Sequence, residues 1–163
     1  MAKLFSYMTM AEKNTTLKIL VQAFSDRNSL LEMSAVDFFA NLKKRGFSEE
    51  NISNATAWIM QLMQQLLATT NNPTGTRIFM AEECAKLDVT CRDFIMYLER
   101  IQILEAKTRE ILINQLLLLN QDTISINDIK IVTLAVLMLQ PSSQEDKIQK
   151  LQRFSSVLNE KKY

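Results

Sequence analysis

A chain of 163 residues is the size of one domain, or of two small ones sharing a core. Its two Gly and two Pro are too few turn formers for a sandwich or a doubly wound sheet, so it reads as mostly helical. It has no histidine, which excludes Ser-His-Asp and Cys-His catalysis and His-ligated metal; its 19 basic and 18 acidic residues nearly cancel, leaving no long-range field for nucleic acid or anionic lipid.

Residues 1–14 read as an N-terminal extension without an apolar core of signal-peptide length. The longest apolar run, residues 131–139, is broken only by Thr133 and is too short to span a bilayer. Cytoplasmic residence is the expectation. Over residues 15–25 the apolar positions Leu17, Leu20, Val21 and Phe24 keep helical spacing. Ser34 then stands as an N-cap with Asp37 in capping-box spacing, opening a helix with Val36, Phe38, Phe39 and Leu42 on its buried stripe. Lys43, Lys44 and Arg45 occupy its last turn, where cations complement the helix dipole, and Gly46 supplies the left-handed residue that ends it. Phe47 is the expected apolar contact of that cap.

Ser48 caps the next helix, with Glu49 and Glu50 in its first turn. From Ile52 to Leu67 the apolar residues exceed one stripe, because Trp58 and Met60 widen the arc to about half the helix at 100° per residue. TTNNPTGT at 69–76 is a linker. Arg77-Ile78-Phe79 suggests a very short strand before a helix opening at Ala81, with a break near Asp88 and continuation to about Leu104. A helix over 106–119 follows, then a turn or short strand at 123–125, and a helix over 126–140 that Ser125 and Asp128 cap and Pro141 ends. That segment is the most apolar and reads as a central helix. A last amphipathic helix, about 144–160, carries Ile148, Leu151, Phe154, Val157 and Leu158.

The expected architecture is all-α: a bundle of about six to seven helices in two subdomains, with at most two very short strands. Residues 15–68 form the first subdomain, residues 77–141 the second, and residues 142–163 the C-terminal helix.

Residues 76–119 carry Arg77, Ile78, Phe79, Glu82, Glu83, Cys84, Leu87, Asp88, Cys91, Arg92, Phe94, Leu98, Glu99, Thr108, Arg109 and Glu110. This block resembles the signature of the Smg family of small bacterial proteins, and the turn at Gly46-Phe47 followed by Glu50, Ile52, Ala55 and Trp58 is similar to that family as well. Met80-Ala81 and Ala106 depart from it where family members tend to have proline. The resemblance implies a bacterial, cytosolic, helical protein, and brings no assigned activity with it.

Four ligands are needed for structural zinc, and two Cys with no His leave only carboxylates such as Glu82, Glu83 or Asp88 to complete a set. Reduced thiols at Cys84 and Cys91, no metal and no cofactor are therefore expected. Arg77, Glu83, Asp88, Arg92 and Arg109 are candidates for an ion-pair cluster, a reading favoured over a general acid–base pair because helices place such charges cheaply. The helix pair around Gly46 resembles a helix-turn-helix, with Lys43, Lys44 and Arg45 as candidate phosphate contacts. Its second helix, however, carries no cation over residues 49–67, so nucleic-acid binding is expected to be weak or absent. Trp58, Met60 and Met63 are the candidate partner surface, since Met-rich apolar faces suit docked helices; the chain's own C-terminal helix is the competing occupant. The function expected is a protein-interaction or adaptor module rather than an enzyme, monomeric or weakly dimeric and without membrane contact. The alternative is a nucleic-acid-associated factor.

Overall fold

A computed structural model describes residues 14–25, 35–68 and 76–159. Among the described residues all regular structure is helical: α1 (Thr15–Ser25), α2 (Ala35–Lys44), α3 (Glu49–Leu67), α4 (Ala81–Lys86), α5 (Val89–Arg100), α6 (Ala106–Leu117), α7 (Ile126–Leu139) and α8 (Gln144–Asn159). Among the described residues there are eight helices, because the break near Asp88 is complete. Neither short strand forms. The stretch before α4 is extended but spends its backbone on the helix entry, Met80 N–H donating to Glu83 Oε2 at 2.7 Å and Met80 C=O accepting from Cys84 N–H at 2.9 Å. Ile124 N–H donates to Lys86 C=O at 2.9 Å, and one such bond makes no ladder.

The chain divides into two units, residues 1–61 and 62–163. In the first, Asn14 Oδ1 caps α1 by accepting from Thr16 N–H at 3.0 Å. Gly46, at φ +90°, ends α2 with the paired bonds of a Schellman turn, Phe47 N–H to Leu42 C=O and Gly46 N–H to Lys43 C=O. The turn swings Phe47 onto a core of Ile19, Leu42, Ile52 and Ala55. Ser48 Oγ then accepts from Asn51 N–H at 3.2 Å to start α3. Ser34 and the side chains of Phe24, Val36, Asp37, Phe38 and Phe39 lie outside the described residues, as does most of the 69–76 linker.

The second unit is built round α7, whose residues Asp128–Leu137 are buried except Lys130, and which packs on α5, α6 and α8. Its start is a full capping box: Ser125 Oγ accepts from Asp128 N–H at 3.1 Å, and Asp128 Oδ2 from Ser125 N–H at 2.7 Å. Helix ends here are closed by lysines from other helices. Lys86 Nζ donates to Leu117 C=O at 3.3 Å, Lys147 Nζ to Met138 C=O at 3.1 Å and Lys107 Nζ to Ala68 C=O at 2.5 Å, each cation meeting the negative end of a helix. α8 buries Leu151, Phe154 and Val157, while Ile148, expected on its inner stripe, is exposed.

Candidate functional site

Two arginines organise the charges of the second unit. Arg77, in the extended segment before α4, reaches Glu83 through Nη2 at 2.5 Å and lies over the Phe79 ring at 4.7 Å. Arg109, on α6 and almost wholly buried, donates through Nη1 to both oxygens of Glu99 on α5, at 2.6 and 2.5 Å. Glu110 joins them, with Oε1 lying 2.9 Å from Arg77 Nε and 2.8 Å from Arg109 Nη2. Burial alone would raise the Glu83 carboxyl, but the Arg77 guanidinium and the Met80 N–H outweigh it and hold the group below its ordinary range. Burial likewise opposes the charge on Arg109, and the bonds from Glu99 and Glu110 outweigh it and raise its pKa. The result is a linear ion-pair network that ties the entry of α4 to α5 and α6.

Of the five residues expected to form this cluster, Arg77, Glu83 and Arg109 belong to it. Asp88 instead caps α5, its Oδ1 accepting from Cys91 N–H at 2.8 Å, and that backbone bond lowers its pKa. Arg92 turns to the Cys84 thiol and to the Phe79 ring, 5.8 Å from its guanidinium. The Cys91 thiol is buried and donates to Ile124 C=O at 3.2 Å; burial first, and then Asp88, push it up to about 12. Both cysteines are free, and among the described residues no group of three or more His, Cys, Asp or Glu side chains could hold a metal. Glu99 and Glu110 join the network through contacts across helix junctions, Glu99 with Arg109 and Glu110 with Arg77.

α3 presents the other candidate surface. Met60 is 57% exposed and Met63 42%, whereas Trp58 is only 6% exposed. Taking 100° per residue, Trp58 points about 160° away from Met60, so the three do not share a face. Leu67, 67% exposed, continues the outward stripe. In the first unit a groove of about 540 Å³ is lined by Lys43, Glu49, Ile52, Ser53, Thr56, Ala57 and Met60. Lys43, Lys44 and Arg45 are all exposed, and Lys43 forms an ion pair with Glu49.

A family described as "Protein of unknown function (DUF494)" matches residues 17–161. A "Protein Smg homolog" of Methylococcus capsulatus is 36% identical over 135 residues, covering 81% of this chain and 87% of that protein. "Protein Smg" of Enterobacter sp. and "Protein Smg" of Escherichia coli are each 33% identical over 126 residues, covering 74% of this chain and 80% of theirs. The chain belongs to the Smg family. No solved structure matches it.

Residues 77–110 lie within the stretch that the family matches, and in this fold they have a physical role. Arg77, Glu83, Glu99, Arg109 and Glu110 are the ion-pair network itself. Thr108 Oγ1 accepts from Glu105 N–H at 2.8 Å and so closes the start of α6 one position before Arg109. Leu87, Cys91, Phe94 and Leu98 are buried. In this Smg-family chain residues 77–110 build the junction of α4, α5 and α6. Among the described residues no helix is long and apolar enough to cross a membrane.

Proposed function

We propose that this Smg-family chain is a cytoplasmic protein-interaction module, an adaptor that catalyses no reaction of its own. What supports this reading is the outward stripe of α3: Met60, Met63 and Leu67 stay exposed on the helix that buries Trp58, Leu62 and Leu66 on its other side. Exposed apolar side chains aligned on one helix face are suited to docking, and methionine adapts to the shape it meets. The Arg–Glu network does not suggest a site of chemistry, since each of its three carboxylates is already bound to an arginine. A photo-crosslinking residue placed at Met63 in the native cell tests the reading. A discrete protein adduct is expected, and its absence under conditions where the chain is abundant would refute it.

A nucleic-acid role draws support from Lys43, Lys44 and Arg45, which lie together and exposed at the end of α2. Against it, Lys43 is engaged by Glu49 and α3 adds no cation. Fluorescence anisotropy with duplex DNA is expected to show only weak, salt-sensitive binding. A sequence-specific dissociation constant tighter than about 10⁻⁸ M would instead favour this role.

A further inference from the structure

We infer that the entry of α4 and the first turn of α5 form a further docking surface, which takes a basic, apolar segment of another protein. It lies within the second unit, residues 62–163, and stands apart from the α3 stripe, so the two readings can fail separately. Ile78, Met80 and Val89 are 80%, 71% and 61% exposed, three of the four most exposed large apolar side chains among the described residues. One such side chain is ordinary on a surface, whereas several together mark a contact site. Ile78 and Met80 alternate with Arg77 and Phe79 along the extended segment and so share its outward side. The Phe79 ring lies 5.8 Å from the Arg92 guanidinium, and Arg92 stands one turn after Val89 on α5. Arg92 also meets the Cys84 thiol, while Cys84 N–H donates to Met80 C=O at 2.9 Å. These contacts tie the segment carrying Ile78 and Met80 to the turn carrying Val89, and the three make one apolar surface.

Charge selects the partner. Residues 76–96 carry three cations and four carboxylates. Each cation is engaged within the fold: Arg77 by Glu83 and Glu110, Lys86 by Leu117 C=O, and Arg92 by the Cys84 thiol and the Phe79 ring. Of the carboxylates only Glu83 is buried, while Glu82, Asp88 and Asp93 are exposed. Glu82 follows Met80 by two residues, Asp88 adjoins Val89, and Asp93, four residues on from Val89, shares its face of α5. The apolar surface therefore has an acidic rim, in a chain whose formal net charge is +1. Nucleic acid and anionic lipid carry the sign that this rim repels. A second copy would bring the same carboxylates against it. A segment with Lys or Arg flanking large apolar side chains matches both features, its apolar residues covering Ile78, Met80 and Val89 and its cations meeting the rim.

Fluorescence anisotropy with the full chain and two labelled peptides tests this. One peptide is an amphipathic helix of about 18 Leu and Lys residues, long enough to fold, and the other replaces every Lys by Glu. The Lys peptide is expected to bind about tenfold more tightly than the Glu peptide, the effect of two or three exposed charge pairs. Met80→Ser with Val89→Ser should weaken the Lys peptide by about tenfold through lost apolar contact. Glu82→Lys with Asp93→Lys should reverse the preference toward the Glu peptide, and the milder Glu82→Gln with Asp93→Asn should abolish it, with circular dichroism and melting unchanged. Asp122→Lys with Glu145→Lys, exposed carboxylates elsewhere in the same unit, makes the same change in net charge and should leave the preference as it was. Equal binding of the two peptides, no binding of either, or Ser variants that bind like the wild type would overturn the surface. A reversal by the Asp122 and Glu145 changes would overturn it too, since only net charge would then be read. In the native cell, a photo-crosslinking residue at Met80 should join the chain to a Lys- or Arg-rich segment of another protein, and an adduct within an acidic segment would overturn the basic partner.

Discussion

Arg77 and Arg109 close on the same carboxylate oxygen, Glu110 Oε1 lying within 3 Å of a guanidinium nitrogen from each. Two cations brought this near would repel. They are held because Glu83 and Glu99 flank them, so that along the network every arginine lies between two carboxylates. With Arg109 almost wholly buried, the network is set by its geometry, and removing one member exposes the desolvation cost of the rest.

Arg109→Met tests this most directly. It leaves Glu99 and Glu110 without their common partner and is expected to destabilise the chain by about 3 kcal/mol. Adding Glu99→Leu to Arg109→Met should recover part of that loss, since a buried pair exchanged for apolar groups often costs little. Urea denaturation of the two variants measures both. A loss within error for Arg109→Met would show the network to be energetically idle.

Acid should undo the Arg77–Glu83 end of the network. The folded-state pKa of Glu83 lies below its ordinary value of 4.5, so its stabilisation is fully present above that pH and is lost as pH falls through the lower folded value. Glu83→Gln is expected to lower the melting temperature at neutral pH and to flatten its decline below pH 4.5 relative to wild type. Parallel acid slopes for the two proteins would remove Glu83 from the acid transition.

Gln102 offers a stabilising change. It ends α5 at φ 59°, donating its N–H to Glu99 C=O at 2.8 Å while Ile103 N–H reaches Leu98 C=O at 3.0 Å, the position where Gly46 ends α2. A side chain in that region costs about 1–2 kcal/mol, and glycine's extra freedom in the unfolded chain returns roughly 0.5–1 kcal/mol of the gain. Gln102→Gly should therefore raise stability by up to about 1 kcal/mol, read as a higher urea midpoint at unchanged m-value. A lower midpoint would mean that the glutamine side chain contributes more than its backbone costs.

Local signals in the sequence carried most of the fold. The Gly46 turn, the Ser48 cap, the Ser125–Asp128 box and the stop at Pro141 each act within four residues, which is why their positions were legible. The ion-pair network was legible only in part. Asp88 and Arg92 are near Glu83 in sequence, and nearness suggested a pairing, but the helix break at Leu87 gives Asp88 to the next helix as its cap. Glu99 and Glu110 reach Arg109 and Arg77 only once α5 and α6 have folded back on each other. The two sides of α3 are hard to tell apart in the sequence for a different reason. Wide apolar arcs merge two stripes in a sequence, and burial separates them by leaving Met60 outside and taking Trp58 inside.

Trp58 supplies the last prediction, because its placement separates core from surface on one helix. An indole buried to 6% exposure leaves a large void when truncated, so Trp58→Ala is expected to cost about 3–5 kcal/mol and Trp58→Phe distinctly less. Met60→Ala, two residues on, removes a side chain that is 57% exposed and should change stability by no more than about 0.5 kcal/mol. The protein has a single tryptophan, so its emission reports on this one position. Native emission should be blue-shifted, should move to the red on urea unfolding, and should not move when Met60 is changed to Lys. If Trp58→Ala cost less than about 1 kcal/mol, far below the range for a buried aromatic, the indole would not be part of the core. Red-shifted native emission would say the same, and the inward side of α3 would then have to be reassigned.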